Sequence, residues 1–242
     1  MGGPFPRQED RAQSQMSQQD QKKAAAAAAA ARVEDGMTVG LGTASTSELF
    51  VQALAARRLK LTCVATSEAT ANLARSLDMH VVDLDDIDEI DLTVDGADEI
   101  GPKLALIKGA GGALFREKMV WEASRRCIAI ADASKPVARL GRAPLPVEVA
   151  PFGHARTAAR IAAATRGLGI TAPPVLRMRG DAPLMTDNRN LIYDLACGVI
   201  PDPAALAAAL KAITGVVEHG LFLGLAAEAL IGTDAGVETL RP

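Results

Sequence analysis

The chain has few cysteines, few histidines, no surplus of basic charge and no long apolar run, and each shortage closes off a class of function. Its three cysteines, Cys63, Cys127 and Cys197, lie far apart and form no C-x-x-C pair. That usage fits a reducing compartment, with thiols packed as small apolar side chains, and structural zinc is not expected. The three histidines, His80, His154 and His219, have no partner at metal-ligand or triad spacing, and no G-x-S-x-G elbow occurs, so none is assigned a catalytic part. A net charge of −3 and a pI near 5.7 give no general attraction to phosphate backbones, and no local basic patch stands out. Nucleic acid is therefore not an expected partner. No apolar stretch reaches the ~18 residues of a membrane span, and the N-terminal segment lacks an apolar core between a basic start and a cleavage site. The expectation is a cytoplasmic protein, away from membranes, that handles small molecules.

What is present is a chain of 242 residues, 49% of them hydrophobic, enough for one large or two modest domains. Residues 1–21 are rich in Gln, Ser, Asp and Arg and have little to bury, which predicts a disordered tail. An alanine run predicts a helix over 22–32. Strands then alternate with helices: strands at 37–42, 59–66, 80–83, 91–95 and 127–131, helices at 46–58, 68–77 and 113–125. Apolar strands alternating with helices predict an α/β fold, a Rossmann-like doubly wound sheet. At Pro144-Leu-Pro146 the pattern changes to β-α-β-β-α-β, the order of a ferredoxin-like split unit, which predicts a second, smaller α+β domain over 145–219. The apolar stretch from Gly220 to Gly232 is expected to return to the first sheet. The larger domain is thus assigned 22–144 plus 220–242.

Four segments carry candidate chemistry. In Val39-Gly-Leu-Gly-Thr43-Ala-Ser-Thr46 a strand runs into a helix through a small-residue turn, whose N–H groups and hydroxyls suit a phosphate. The same hydroxyls also make ordinary helix caps, and the segment is a dinucleotide fingerprint lacking its third glycine. In Asp91-Leu-Thr-Val-Asp95-Gly-Ala-Asp98-Glu99, Asp95 falls at the carboxyl end of a strand, where open α/β sheets place ligands. Asp91 and Glu99 read as solvated turn acids, and a divalent cation is a further option that nearby Lys108 opposes. Lys108-Gly-Ala-Gly-Gly-Ala-Leu-Phe-Arg-Glu117-Lys118 sets a lysine before a glycine turn and a carboxylate just inside a helix, either a base or a complement to the helix dipole. Arg116 and Lys118 are expected to face solvent. No G-K-[ST] follows the glycines, which excludes a mononucleotide P-loop. Ala131-Asp-Ala-Ser-Lys135-Pro136 ends a strand with a lysine able to pair with phosphate or simply to sit on the surface.

Together with Pro144-Leu-Pro-Val-Glu-Val149, Thr186-Asp-Asn188 and Gly220-Leu-Phe222, the order and spacing of these motifs resemble the type A family of ribose-5-phosphate isomerases over essentially everything after the tail. The resemblance implies interconversion of D-ribose 5-phosphate and D-ribulose 5-phosphate in the pentose phosphate pathway through a cis-enediol, without metal or cofactor. It implies Glu117 as the carbon base, Lys108 beside the developing oxyanion, and Asp95 and Asp98 at the sugar oxygens. It also implies substrate contacts at Thr43, Ala44, Ser45 and Thr46, at Asp95, Gly96, Ala97 and Asp98, at Lys108, Gly109, Ala110 and Gly111, and at Lys135, with Lys22 reaching the phosphate. A homo-oligomer, commonly a dimer, is implied as well. Two positions depart from the family: Ala44 and Ala110 stand where it usually has glycine, and a methyl there crowds a ligand or resists positive φ. Two rival readings remain, a non-catalytic sugar-phosphate sensor, which needs a DNA-reading module absent here, and a nicotinamide-dependent dehydrogenase.

Overall fold

The computed structural model describes residues 16–242. Most of the expected tail, residues 1–15, lies outside the described residues. Its last part is not irregular: helix α1 spans Gln18–Ala30, so the expected start at residue 22 is too late. Ser17 caps the helix by accepting from the Asp20 N–H. Long polar side chains then fasten the first turn, with Gln18 donating to Asp132 and Gln21 bridging Asp234 and the Ala133 N–H. The alanines serve a packing purpose as well as a propensity one. Ala25, Ala26, Ala29 and Ala30 are buried, and the backbone passes so close to the sheet that a Cβ on Gly232 would stand 1.9 Å from the Gln21 carbonyl oxygen.

The next elements are β1 (Thr38–Leu41), α2 (Ser45–Ala55), β2 (Thr62–Ala65), α3 (Glu68–Ser76), β3 (Val81–Val82), β4 (Leu92–Gly96), β5 (Glu99–Ile100), β6 (Leu106–Ile107), α4 (Leu114–Glu122) and β7 (Cys127–Asp132). A smaller unit follows, with β8 (Leu145–Val149), α5 (His154–Arg166), β9 (Val175–Leu176), β10 (Met178–Arg179), β11 (Ala182–Pro183), β12 (Leu191–Leu195), α6 (Pro203–Lys211) and β13 (Val216–His219). The chain closes with β14 (Leu221–Phe222), β15 (Glu228–Thr233) and β16 (Gly236–Leu240).

The large sheet has the order β16-β15-β7-β4-β1-β2-β3, parallel except for the β16 edge. Winding runs outward from β1 to β3, then restarts at β4 on the other side of β1. Direction therefore reverses between β1 and β4, and a crevice opens at their carboxyl ends. Side-chain alternation builds a core on each face. Ile128 and Ile130 of β7 pack with Val94, Leu230 and the α2 residues Phe50, Val51 and Leu54. Cys127, Ala129 and Ala131 face the other way, toward Trp121 and Phe222. Those two rings meet edge to face at 5.5 Å, and truncating Trp121 to Ala would cost ~3–5 kcal/mol.

The smaller sheet, β13-β8-β12-β9, pairs antiparallel throughout. Numbering only the four strands of this sheet in chain order, that order is 4-1-3-2, a ferredoxin-like arrangement with α5 and α6 supplying Ile161, Leu206 and Leu210 to its core. The fold is thus a Rossmann-like doubly wound sheet with a smaller α+β unit, as the element order predicts. Two local differences matter. The strand expected over 174–178 breaks at Arg177, where β9 ends and the β10–β11 hairpin begins. A three-stranded sheet, β14-β6-β5, also goes unread in the sequence, because two-residue strands carry no periodicity.

Candidate active site

The crevice at the switch point gathers the sequence motifs. The β1–α2 turn, the β4–β5 turn, the loop from Lys108 to Gly111, Glu117 of α4 and Lys135 line one cleft of about 80 Å³, and Lys22 of α1 reaches its rim. A larger concavity of about 1130 Å³ lies at the opposite, N-terminal edge of the strands. Its charged residues, Arg58, Lys60 and Asp78, are exposed and no buried charge faces it. Of the two, only the smaller cleft is lined by charges held out of water, Lys108 and Glu117.

Asp95 is fully buried at the end of β4. Its Oδ1 accepts from the Thr43 N–H at 3.0 Å, the Ser47 hydroxyl at 3.0 Å and the Gly96 N–H at 2.7 Å. Its Oδ2 faces the Lys108 ammonium at 2.9 Å. Gly42 makes room for this carboxylate, since a Cβ there would stand 2.1 Å from Oδ1. Ser47 was absent from the residues expected at the site. It follows the hydroxyl turn by one position, and only the helix orientation directs it inward to the sheet.

Lys108 is equally buried, with Nζ donating to the Gly96 carbonyl at 2.6 Å and standing 3.4 Å from Glu117 Oε2. It lies 5.6 Å from the Trp121 ring centroid and 5.4 Å from that of Phe222. Burial alone would lower the lysine, but the Asp95 and Glu117 carboxylates outweigh it, so its pKa is raised and the charge persists. Glu117 shows the opposite balance. Burial is the largest influence and Asp95 and Asp98 add repulsion, so even with Lys108 opposing them the carboxyl is pushed up to about 8. Its Oε2 has no hydrogen-bond partner. Asp98 is less enclosed and accepts the Ala110 N–H at 2.9 Å.

At the other end of the cleft, α2 begins without a side-chain cap. Thr43 does not supply one, because its hydroxyl joins a cluster with Thr66, Ser67 and Thr70. The first N–H groups of α2 are thus free to meet an anion, with Lys22 Nζ 3.2 Å from the Ser45 hydroxyl. The turn has φ 80° and ψ 176° at Ala44, a conformation tolerated almost only by glycine. Ala110 shows no positive φ; the loop places that demand on Gly109 and Gly112. The expected departure is therefore a backbone matter at Ala44 and not at Ala110.

Three expectations about neighbouring charges are corrected. Glu99 is fully buried, not solvated, and accepts from the N–H groups of Gly141 (2.7 Å) and Ala143 (2.6 Å). Lys118 does not face solvent: its ammonium meets Glu218 Oε1 and the His219 carbonyl, each at 2.7 Å. Arg116 is partly covered, bonding Glu68 at 2.8 Å and Asn188 at 3.0 Å. In each case the partner is remote in sequence. Among the described residues no group of three or more His, Cys, Asp or Glu is placed to hold a metal ion.

Fold and cleft together define an acid–base enzyme for a small anionic substrate, with a buried lysine between two carboxylates. The ribose 5-phosphate isomerase A (phosphoriboisomerase A) family profile matches residues 62–236. Ribose-5-phosphate isomerase A of Caulobacter sp. (strain K31) is 61% identical over 210 residues, covering 87% of this chain and 92% of its own length. The protein of the same name from Parvibaculum lavamentivorans is 52% identical over 86% of this chain and 92% of its own. Among solved structures, ribose 5-phosphate isomerase A from Neisseria gonorrhoeae superposes with a TM-score of 0.87 at 33% identity, covering 94% and 99% of the two chains. A D-ribose-5-phosphate isomerase in complex with phospho-erythronic acid gives 0.88 at 36% identity, covering 94% and 100%. This chain belongs to the ribose 5-phosphate isomerase A family.

Proposed function

We propose that this chain interconverts D-ribose 5-phosphate and D-ribulose 5-phosphate through a cis-enediol, as a step of the non-oxidative pentose phosphate pathway. The observation that carries the proposal is the buried Glu117 carboxyl, whose Oε2 makes no hydrogen bond but stands 3.4 Å from a lysine that is itself 2.9 Å from Asp95. Glu117 takes the proton from C2 of the open-chain aldose and returns it to C1. A base raised toward neutrality is well matched to that transfer. Lys108 stabilises the enediolate oxygen in a site shielded from water by Trp121 and Phe222. Asp98, with Asp95 behind it, serves ring opening and proton movement at the sugar oxygens. The phosphate sits at the uncapped start of α2, with Ser45, Thr46, Lys22 and Lys135 around it. The related D-ribose-5-phosphate isomerase in complex with phospho-erythronic acid, a phosphorylated sugar acid, supports a sugar phosphate as the ligand.

The reading extends to organisation. Residues 22–144 with 220–242 form the catalytic domain and 145–219 the small domain, supported by the latter's own four-stranded sheet, while Ile107, Leu140 and Leu221 join the two in one core cluster. A cytoplasmic location is supported by three unpaired cysteines, and a homodimer by family resemblance alone. Incubation with ribose 5-phosphate in heavy water, followed by NMR, tests the reaction. Ketose carrying deuterium at C1 is expected, and absence of ketose would overturn the proposal.

A further inference from the structure

Arg177 sits where β9 gives way to β10, and its guanidinium makes four bonds. Nε and Nη2 donate to the two oxygens of Asp194 at 2.8 and 2.5 Å, while Nη1 donates to the carbonyl oxygens of Gly109 at 2.9 Å and Ala110 at 3.0 Å. The Gly109 carbonyl and the Ala110 N–H belong to one planar peptide unit. That N–H donates to Asp98 Oδ2 at 2.9 Å. One rigid plate therefore has the small unit's arginine at its oxygen and a site carboxylate at its hydrogen. We propose that Arg177 is a positioning residue for the isomerase reaction, orienting Asp98 through the Gly109–Ala110 peptide.

The physical argument has two parts. A cation at the carbonyl oxygen polarises the peptide and strengthens its N–H as a donor. The bidentate grip of Asp194 fixes the fork, so the plate cannot rotate without breaking bonds a lysine would not replace in kind. Arg177 acts at the reacting end of the cleft, whereas Lys22 and Ser45 mark the phosphate end. Its loss should thus fall on turnover and leave binding largely intact.

The inference rests on the proposed isomerase reaction, and the experiment separates the two. Turnover of ribose 5-phosphate by the parent protein tests the reaction; exchange of the Ala110 amide, followed by NMR in heavy water without substrate, tests the peptide clamp. In Arg177→Ala, kcat should fall roughly 10–100-fold with KM within about threefold, and the Ala110 amide should exchange about tenfold faster. Arg177→Lys should recover part of the rate. A folded Arg177→Ala protein whose kcat stays within about twofold of the parent, or whose Ala110 exchange is unchanged, overturns the proposal. If that variant does not fold, Asp194→Asn decides, because it keeps the guanidinium and loosens only its grip. A fall in kcat of a few-fold at constant KM is then expected, and an unchanged kcat overturns the inference.

Discussion

Lys108 and Lys118 both lie over the Phe222 ring, 5.4 and 4.9 Å from its centroid, and both are buried. Their surroundings differ in one respect that separates chemistry from structure. Lys118 meets a full set of acceptors: Glu218, the His219 carbonyl and the His219 ring nitrogen. Glu218 is bonded a second time by Lys211 at 2.6 Å, and although burial opposes it, its lysine partners bring its pKa down to about 2. Nothing in that cluster is left wanting a proton. Around Lys108 a single cation answers two buried carboxylates, with Asp98 adding further negative charge, and one oxygen of Glu117 has no hydrogen bond. Its acid is driven up where the other is driven down. A saturated buried cluster suits a brace, and a charge-deficient one suits the base proposed for Glu117.

The largest effect should come from Glu117→Gln. Removing the base should lower kcat ~10²–10⁴-fold with little change in KM, by steady-state assay. The same variant should be more stable than the parent. Because the folded protein binds the Glu117 proton more tightly than the unfolded chain does, stability declines as pH rises from the ordinary glutamate value of 4.5 toward about 8. The gain in Tm should accordingly grow from about pH 4.5 to about pH 8 and level off above it; a loss of Tm would contradict a charge-deficient site.

Lys118→Met should do the reverse. Leaving Glu218 buried with only Lys211 should cost ~3 kcal/mol in denaturant unfolding, while the folded fraction keeps kcat within a few-fold. A selective loss of turnover would break the distinction between the clusters. Next in size is the pH profile: kcat/KM should rise about tenfold per pH unit below about 8 and level off above it, as Glu117 becomes ionised. A profile flat from pH 6 upward would place the titration elsewhere. The smallest effect is expected at Ala44, outside both clusters. Ala44→Gly should relieve the strain at φ 80° and raise stability by ~1 kcal/mol, with a lower KM as the turn at α2 relaxes. An unchanged Tm and KM would show the strain to be absorbed by the turn.

Much of this was legible in the linear chain because it is local. The apolar strands β1, β2, β4 and β7 were readable, as were glycines ahead of a helix and carboxylates at strand ends, since periodicity and turn chemistry act over a few residues. The β-α-β-β-α-β order likewise fits the 4-1-3-2 sheet found. The failures have one cause. Glu99 and Lys118 read as solvated because charge alone predicts solvent, yet their partners are the amides of Gly141 and Ala143 and the side chain of Glu218, about 40 and 100 residues onward. Arg177 gave no signal at all, since its carbonyl partners at Gly109 and Ala110 are a backbone property invisible to side-chain patterns.

By itself, then, the sequence determined the alternation of strands and helices, the glycines that keep the turns open, and the identities of Glu117, Lys108, Asp95 and Asp98. Only the tertiary structure decided their states. Whether a lysine is a brace or a catalyst's counter-charge depends on how many carboxylates the fold brings within a few ångströms and how much water it excludes. Those quantities arise when β4, α4 and the Lys108 loop converge at one switch point, because Coulomb interactions and desolvation depend on distance in space and not along the chain.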